Sequence, residues 1–182
     1  HRIFPAENSI LTSLGVTGAR RVPYRGASFM SHTEQYIEAQ AAANELVDVP
    51  QLVNYIIQDG LDRAASDIHI EPWEDMTGVR VRVNGVLSWL VGIPKDLHEN
   101  ICGRIKVMAN LASHVKDLPQ DGKAAPPEFK GVQLRVSIFP TVYGEKIVCR
   151  IFNPSLGTYV AVIKSFAERS QENSGRSQLK RK

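Results

Sequence analysis

The chain has 182 residues, 43% of them hydrophobic and 23% charged, which is typical of a globular protein with one well-buried core. Its formal charge of +3 comes from the end of the chain: residues 154–182 carry six Lys or Arg and two Glu, a net of +4 that leaves −1 for residues 1–153. This argues against the broad basic face of a DNA-binding protein, and we expect no nucleic-acid partner. No apolar run approaches the ~18 residues that span a bilayer, and we expect a cytoplasmic protein.

The first elements predicted are helices. Residues 1–31 show no sustained period and are expected to form a loosely ordered lead-in, whereas residues 32–46 are rich in helix formers and predict a linker helix. A second helix is predicted from Asp48 to about residue 65, because Asp48 and Gln51 have capping-box spacing and Pro50 falls in the first turn. Apolar residues then recur at three- and four-residue steps, which indicates one buried face.

Short strands follow these helices. Asp67–Glu71 and Val79–Val83 alternate apolar and polar residues, and Val86–Val91 reads as the return strand of a hairpin. Asn84-Gly85 lies between the last two segments and is the two-residue turn that right-twisted hairpins prefer. The pattern therefore predicts three strands in succession.

The second half of the chain predicts one more helix and two or three strands, with no internal sequence repeat. A helix is predicted after Pro94, then a polar loop over residues 116–130, then the strands Val132–Ile138 and Lys146–Phe152. The whole pattern predicts an α+β domain, an antiparallel sheet with helices packed on one face. After residue 153, residues 159–167 could form a short helix and the polar remainder is expected to be disordered.

Two features invite a metal or catalytic interpretation. Asp67, His69 and Glu71 alternate along one strand and so share a face, but no P-C-x-x-C follows as in the zinc deaminases that contain H-x-E. We favour a solvated or interdomain strand face and expect no metal site. Cys102 and Cys149 lie in apolar stretches outside any C-x-x-C pair and predict reduced core residues.

A phosphate-binding loop is missing from the sequence. Neither G-x-x-x-x-G-K-[ST] nor G-x-G-x-x-G occurs in the 182 residues, and no Ser, His and Asp set occupies a nucleophile-elbow context. Without a glycine-rich loop that leads into a helix N-terminus, a triphosphate has no recognisable cradle. We therefore expect no catalytic residues, no cofactor bound by this chain alone, and no ATP hydrolysis.

The arginines of the strands differ in their neighbours. Arg80, Arg82 and Arg135 occupy the polar phase of alternating strands, where a solvated arginine is ordinary. Arg150 shares its face with Val148 and Phe152, and the strand pattern suggests that both faces are covered. An arginine in such surroundings predicts a carboxylate or phosphate partner for its donors.

Five segments of the sequence together resemble a known family. SDIHIEP, the V-R-V-R-V-N-G-V-L hairpin, GRIKVMANL, LPQDGK and LRVSIFPTVYGEKIVCRIF occur in this order and resemble the second N-terminal domain of type II secretion and type IV pilus assembly ATPases. The resemblance covers residues 48–153 and implies a PAS-like α+β fold. It divides the chain into a lead-in with linker helix (1–47), that domain (48–153) and a C-terminal tail (154–182) in which we recognise no family motif.

What the resemblance implies about function centres on two arginines. The family's L-R-V-S and C-R-I-F positions, here Arg135 and Arg150, would contact nucleotide phosphates once an ATPase core is present. The expected partners are a RecA-like ATPase core of the same family and the inner-membrane platform protein of a secretion or pilus machine. ATP and Mg²⁺ would belong to the complete family member, a hexamer held at the cytoplasmic side of the inner membrane. The chain itself is expected to be a non-catalytic nucleotide-sensing and coupling domain.

Two alternatives remain open at this point. The chain could be a stand-alone adaptor or inhibitor that binds a complete secretion ATPase, or a PAS-like sensor that holds a small ligand in its core. A phosphate-binding loop in a continuing reading frame would favour the parent enzyme, whereas a ligand retained through purification would favour the sensor.

Overall fold

A six-stranded antiparallel sheet forms the centre of the fold. The structure, a computed structural model, describes residues 30–153. The sheet order is β3-β2-β1-β6-β5-β4, and every neighbouring pair is antiparallel. The strands are β1 (Asp67–Pro72), β2 (Met76–Val83), β3 (Val86–Pro94), β4 (Gln120–Ala124), β5 (Gln133–Thr141) and β6 (Gly144–Phe152).

Three α-helices complete the described part of the chain. They are α1 (His32–Ala43), α2 (Val49–Asp62) and α3 (His98–Met108), and a short 3₁₀ turn, Lys95–Leu97, leads into α3. Asp48 caps α2, because its carboxylate accepts from the amide of Gln51 at 3.0 Å and satisfies a donor that the helix leaves free. The predicted helix start is therefore confirmed. The predicted α+β architecture, with an antiparallel sheet, is confirmed as well.

The helix α1 is fixed to α2 by one buried carboxylate. Asp59 accepts from the amide of His32 at 2.8 Å, the amide of Thr33 at 2.9 Å and the hydroxyl of Thr33 at 2.6 Å. Amides at a helix N-terminus have no partner within the helix, so a carboxylate here accepts their hydrogen bonds. Its negative charge also interacts favourably with the positive end of the helix dipole. The helix predicted as a linker thus packs against α2.

Two local features of the sheet depend on glycine. Asn84 and Gly85 both have positive φ, 51° and 81°, as the tight β2–β3 turn requires, and the predicted hairpin is confirmed. At Gly122, in β4, an added Cβ would lie 2.6 Å from the carbonyl oxygen of Ala109.

The prediction of a loop throughout residues 116–130 is wrong, because Gln120–Ala124 pairs with β5 as an edge strand.

The core lies between the helices and one face of the sheet. Helices α2 and α3 contribute apolar residues that pack on the inward faces of β1, β5 and β6. The cavity enclosed there measures only ≈ 10 Å³, about the space of a single water. The described residues therefore leave no room for a small ligand in this core, which argues against the sensor alternative. Cys102 and Cys149 are buried and free, as predicted.

Some predictions fall outside the described residues. The structure of residues 1–29 and 154–182, including the helix predicted over residues 159–167, is not described. The proposed boundaries at residues 47 and 153 therefore stay predictions. Within residues 30–153 no helix has the length and apolar character needed to cross a membrane.

Candidate functional site

One face of the sheet carries a row of charged residues; none of the helices within residues 30–153 packs on it, and it is called the helix-free face below. Each strand alternates its side chains between the two faces, so residues in register across neighbouring strands share a face. Arg135 on β5 lies directly opposite Arg150 on β6, and Arg150 lies opposite Asp67 on β1. The next strand adds Arg82, which is in register with Asp67. The sheet therefore brings together the two arginines that the sequence singled out.

Arg150 is more exposed than its sequence neighbours predicted. Its side chain is 64% exposed, so the expectation of a strand covered on both sides is wrong. The helices pack on the other face, and Arg150 belongs to the open one. Its Nε donates to Oδ1 of Asp67 at 3.0 Å, so the predicted carboxylate partner is present. This contact uses Nε, and no contact of the two terminal nitrogens is found within residues 30–153.

Asp67 is the buried acid of the row, with 7% of its side chain exposed. Its Oδ2 accepts from the Ser66 hydroxyl at 2.8 Å and lies 3.6 Å from Nε of Arg82. Burial raises the pKa of Asp67, but the hydrogen bonds from Ser66 and Arg150 outweigh it, and the net pKa lies below the ordinary value. Asp67 is therefore ionised at neutral pH and holds Arg82 and Arg150 on either side.

Arg135 is held more loosely. Its side chain is 63% exposed, and its Nε lies 4.0 Å from Oδ1 of Asp121. At this distance, and with both groups exposed, such a pair contributes little to stability. Arg135 and Arg150 thus present two guanidinium groups to solvent, where they could bind a phosphate or carboxylate in bidentate fashion.

A second ionic cluster lies beside this row. Glu71 pairs with Arg80 and with Lys146, whose Nζ is 2.8 Å from Oε1. Burial raises the pKa of Glu71, but its hydrogen bonds with Lys146 and Arg80 lower the pKa by more than burial raises it. The net pKa of Glu71 lies below the ordinary value. Burial and the charge of Lys146 lower the pKa of His69, which favours the neutral ring. The side chains of Asp67, His69 and Glu71 are each no more than 12% exposed, so this strand face is ion-paired and not solvated as predicted. Within residues 30–153 no group of three His, Cys, Asp or Glu could hold a metal.

A buried cluster at the other face escaped the sequence analysis. Nζ of Lys106 on α3 lies 2.8 Å from Oε1 of Glu145 on β6 and 2.5 Å from the carbonyl oxygen of Val115. The ring of His98 bridges the Thr77 hydroxyl at 3.1 Å and the Glu145 carbonyl oxygen at 2.9 Å. The side chains of Lys106 and Glu145 are only 1% and 9% exposed, so the cluster joins α3 to the sheet and is remote from solvent.

Burial also determines the chemistry of the two thiols. It raises the pKa of Cys149 to about 12, and burial together with the charge of Glu145 raises that of Cys102 to about 12. A thiol with so high a pKa is a poor nucleophile at neutral pH. Neither cysteine therefore forms a reactive site.

Fold and site together define an α+β domain whose open sheet face presents opposed arginines. A family model described as Type II/IV secretion system protein matches residues 42–181, more than half of the chain. The chain therefore belongs to the type II/IV secretion system protein family. The match extends through residue 181 and so includes most of the C-terminal segment in which the sequence analysis recognised no family motif.

Individual relatives agree with this assignment. The chain is 40% identical over 121 residues to the type IV pilus assembly ATPase PilB of Myxococcus xanthus, a match covering 65% of this chain and 21% of that protein. It is 34% identical over 143 residues to PilB of Pseudomonas aeruginosa, covering 78% and 25%. It is 42% identical over 118 residues to the type II secretion system protein E of Xanthomonas campestris, covering 64% and 21%. The matches thus span about a fifth to a quarter of these relatives' length.

Proposed function

We propose that this chain is a non-catalytic nucleotide-sensing and coupling domain of a type II secretion or type IV pilus assembly ATPase. Arg135 and Arg150 would contact the phosphates of a nucleotide bound by a RecA-like core. In the complete family member the core would bind ATP and Mg²⁺, and the assembly would be a hexamer. It would lie at the cytoplasmic side of the inner membrane and act on a platform protein there.

The observation that carries this proposal is the pairing of Arg135 with Arg150. They are direct cross-strand partners on the face without helices, and both side chains are about two thirds exposed. Like charges opposite each other in an antiparallel pair are destabilising. An anion-binding surface needs exposed positive charge, and two exposed arginines side by side provide it. Membership in a family whose relatives are named as ATPases supports a phosphate as that anion.

The chemistry of the proposed site is electrostatic. Negative charge builds on the oxygens of a phosphoryl group in transfer, and arginine donors placed against them stabilise it. Asp67 holds Arg150 through Nε alone, which orients the guanidinium while its terminal nitrogens stay available. Because the arginines sit on a sheet and the nucleotide on a separate core, contact would depend on how the two domains are placed. That dependence would couple nucleotide state to domain movement.

The test is a chimera in which this chain replaces the matching region of Pseudomonas aeruginosa PilB, which is 34% identical over 143 residues. Arg135→Ala and Arg150→Ala should each lower the steady-state ATPase rate by about tenfold or more, the scale of a lost phosphate-directed arginine. Lysine at either position should restore the rate only in part, since a point charge lacks the bidentate fork.

Thermal melts separate this role from a structural one. Arg104→Ala on α3, on the helical side of the sheet, is the matched control and should leave the rate unchanged. Arg135→Ala should melt close to the parent, because both members of its ion pair are exposed. Arg150→Ala should melt at a lower temperature, because it removes the hydrogen bond to the buried carboxylate of Asp67. If both variants remain folded at the assay temperature and hydrolyse ATP at the parental rate, the nucleotide-sensing role is refuted.

A further inference from the structure

The charged row extends one strand beyond the two arginines. Lys123 on β4 lies directly opposite Arg135 on β5. The neighbours of Lys123 fix the face to which it belongs: Ala124 is buried in the core and Gly122 lies against the carbonyl oxygen of Ala109. Lys123 therefore projects from the opposite, helix-free face, together with Asp121, which contacts Arg135 there.

Three cations thus stand on three adjacent strands. Lys123, Arg135 and Arg150 follow one another in register, and Asp67 then interrupts the row. Neighbouring strands lie about 4.8 Å apart, so the three positions span roughly 10 Å. Such a row costs stability through repulsion unless an anion lies along it.

The acids on this face leave one end of the row uncompensated. Asp67 serves Arg82 and Arg150, and Asp121 accepts from Ser137 and faces Arg135. Among the residues the structure describes, no carboxylate forms an ion pair with Lys123, which is exposed. A groove of about 530 Å³ borders both Lys123 and Arg135. The β4–β5 end of the row therefore carries a lysine without an ion-pair partner among the described residues, beside open space.

We propose that Lys123 is a third phosphate-binding residue of this face, so that the row takes an extended polyphosphate such as the triphosphate of a nucleotide. The proposal rests on the proposed function and extends it. A single phosphate would reach one or two of the cations, whereas a linear triphosphate matches the roughly 10 Å over which three strands present them. Lysine suits such a position, because its ammonium is a mobile point charge that needs no fixed geometry.

The experiment uses the 182-residue chain and inorganic tripolyphosphate as the probe, with affinity measured by calorimetry at low ionic strength. Lys123→Met keeps the length of the side chain and removes its charge, and it should weaken binding by about three- to tenfold. Lys123→Arg should bind at least as tightly as the parent. The matched control is Lys116→Met, which removes the same charge from a residue paired with Glu99 of α3 and should leave affinity unchanged.

The probes and variants separate this inference from the proposed function. Binding of tripolyphosphate more tightly than orthophosphate, with loss in Lys123→Met and not in Lys116→Met, supports the inference. If Lys123→Met binds like the parent while Arg135→Ala binds more weakly, Lys123 is not a ligand, and the role of the arginines stands. If the chain binds no polyphosphate, or if both lysine variants weaken it equally, the row is not a defined site and the inference is wrong. The ATPase rates of the chimera still decide the proposed function in that case.

Discussion

The buried pair of Lys106 and Glu145 predicts a specific pattern of stability losses. Replacing Lys106 by Met leaves the carboxylate of Glu145 in the core without its partner at 2.8 Å. It also removes one of the two donors to the carbonyl oxygen of Val115, the other being the side-chain amide of Gln120. Because both side chains are at least nine tenths buried, the cost should be that of breaking a buried pair, about 3–5 kcal/mol of unfolding free energy.

The expected shift in melting temperature follows from the size of the domain. For a unit of this length, 1 kcal/mol corresponds to roughly 4 °C, so Lys106→Met should lower the melting temperature by about 12–20 °C. Glu145→Met should be costly for the same reason, because it leaves Lys106 buried without its carboxylate partner. The double variant Lys106→Met with Glu145→Met should recover most of the loss, because an apolar pair of similar volume requires no charge in the core.

Calorimetry and urea denaturation of the four proteins provide the measurement, and the double-mutant cycle isolates the coupling. The exposed pair Lys116 and Glu99 is the matched control, since Lys116→Met should cost less than about 1 kcal/mol. A loss of similar size in Lys106→Met and Lys116→Met would refute the argument from burial. So would a double variant as unstable as the sum of the two single variants.

Two further outcomes follow from other buried groups. Burial lowers the pKa of His98 despite its hydrogen bond to the carbonyl of Glu145. The unfolded chain therefore binds protons more readily than the folded chain, and stability should fall as pH drops below about 6.5. His98→Gln should flatten this slope in urea midpoints measured against pH, and an unchanged slope would exclude His98 as its source. Asp59→Asn should leave the first amides of α1 poorly satisfied and lower the free energy of unfolding by about 1–3 kcal/mol. Hydrogen exchange across His32–Ala43 should become faster, and unaltered protection of α1 would contradict the anchoring role of Asp59.

The parts of the fold that sequence predicted are those determined by neighbouring residues. The cap at Asp48 and the Asn84-Gly85 turn each depend on a few residues in succession, and both were predicted correctly. β4 was missed because Gln120–Ala124 has one inward apolar residue, and a glycine where a side chain would meet backbone. Its identity as a strand comes from pairing with β5, which no local pattern reveals.

The residues of the candidate site were likewise predicted only in part from the sequence. Strand alternation correctly placed Arg135 in polar phase, but it could not say which face the helices cover, and Arg150 was predicted too deep. Lys106 was missed because a lysine in a helix is ordinarily solvated; only the packing of α3 on β6 shows that it meets Glu145. In each case the missing information was which elements pack against each other.

The order of the strands has a consequence for the time course of folding. The sheet consists of two three-stranded halves joined only where β1 meets β6, and there Arg150 reaches Asp67 across 83 positions of the chain. Hairpins close quickly because their partners are near in sequence, whereas so distant a pairing must first offset a large loop entropy. Formation of the β1–β6 seam should therefore limit the refolding rate, and Arg150 acquires its contact with Asp67 only when that slow step is complete.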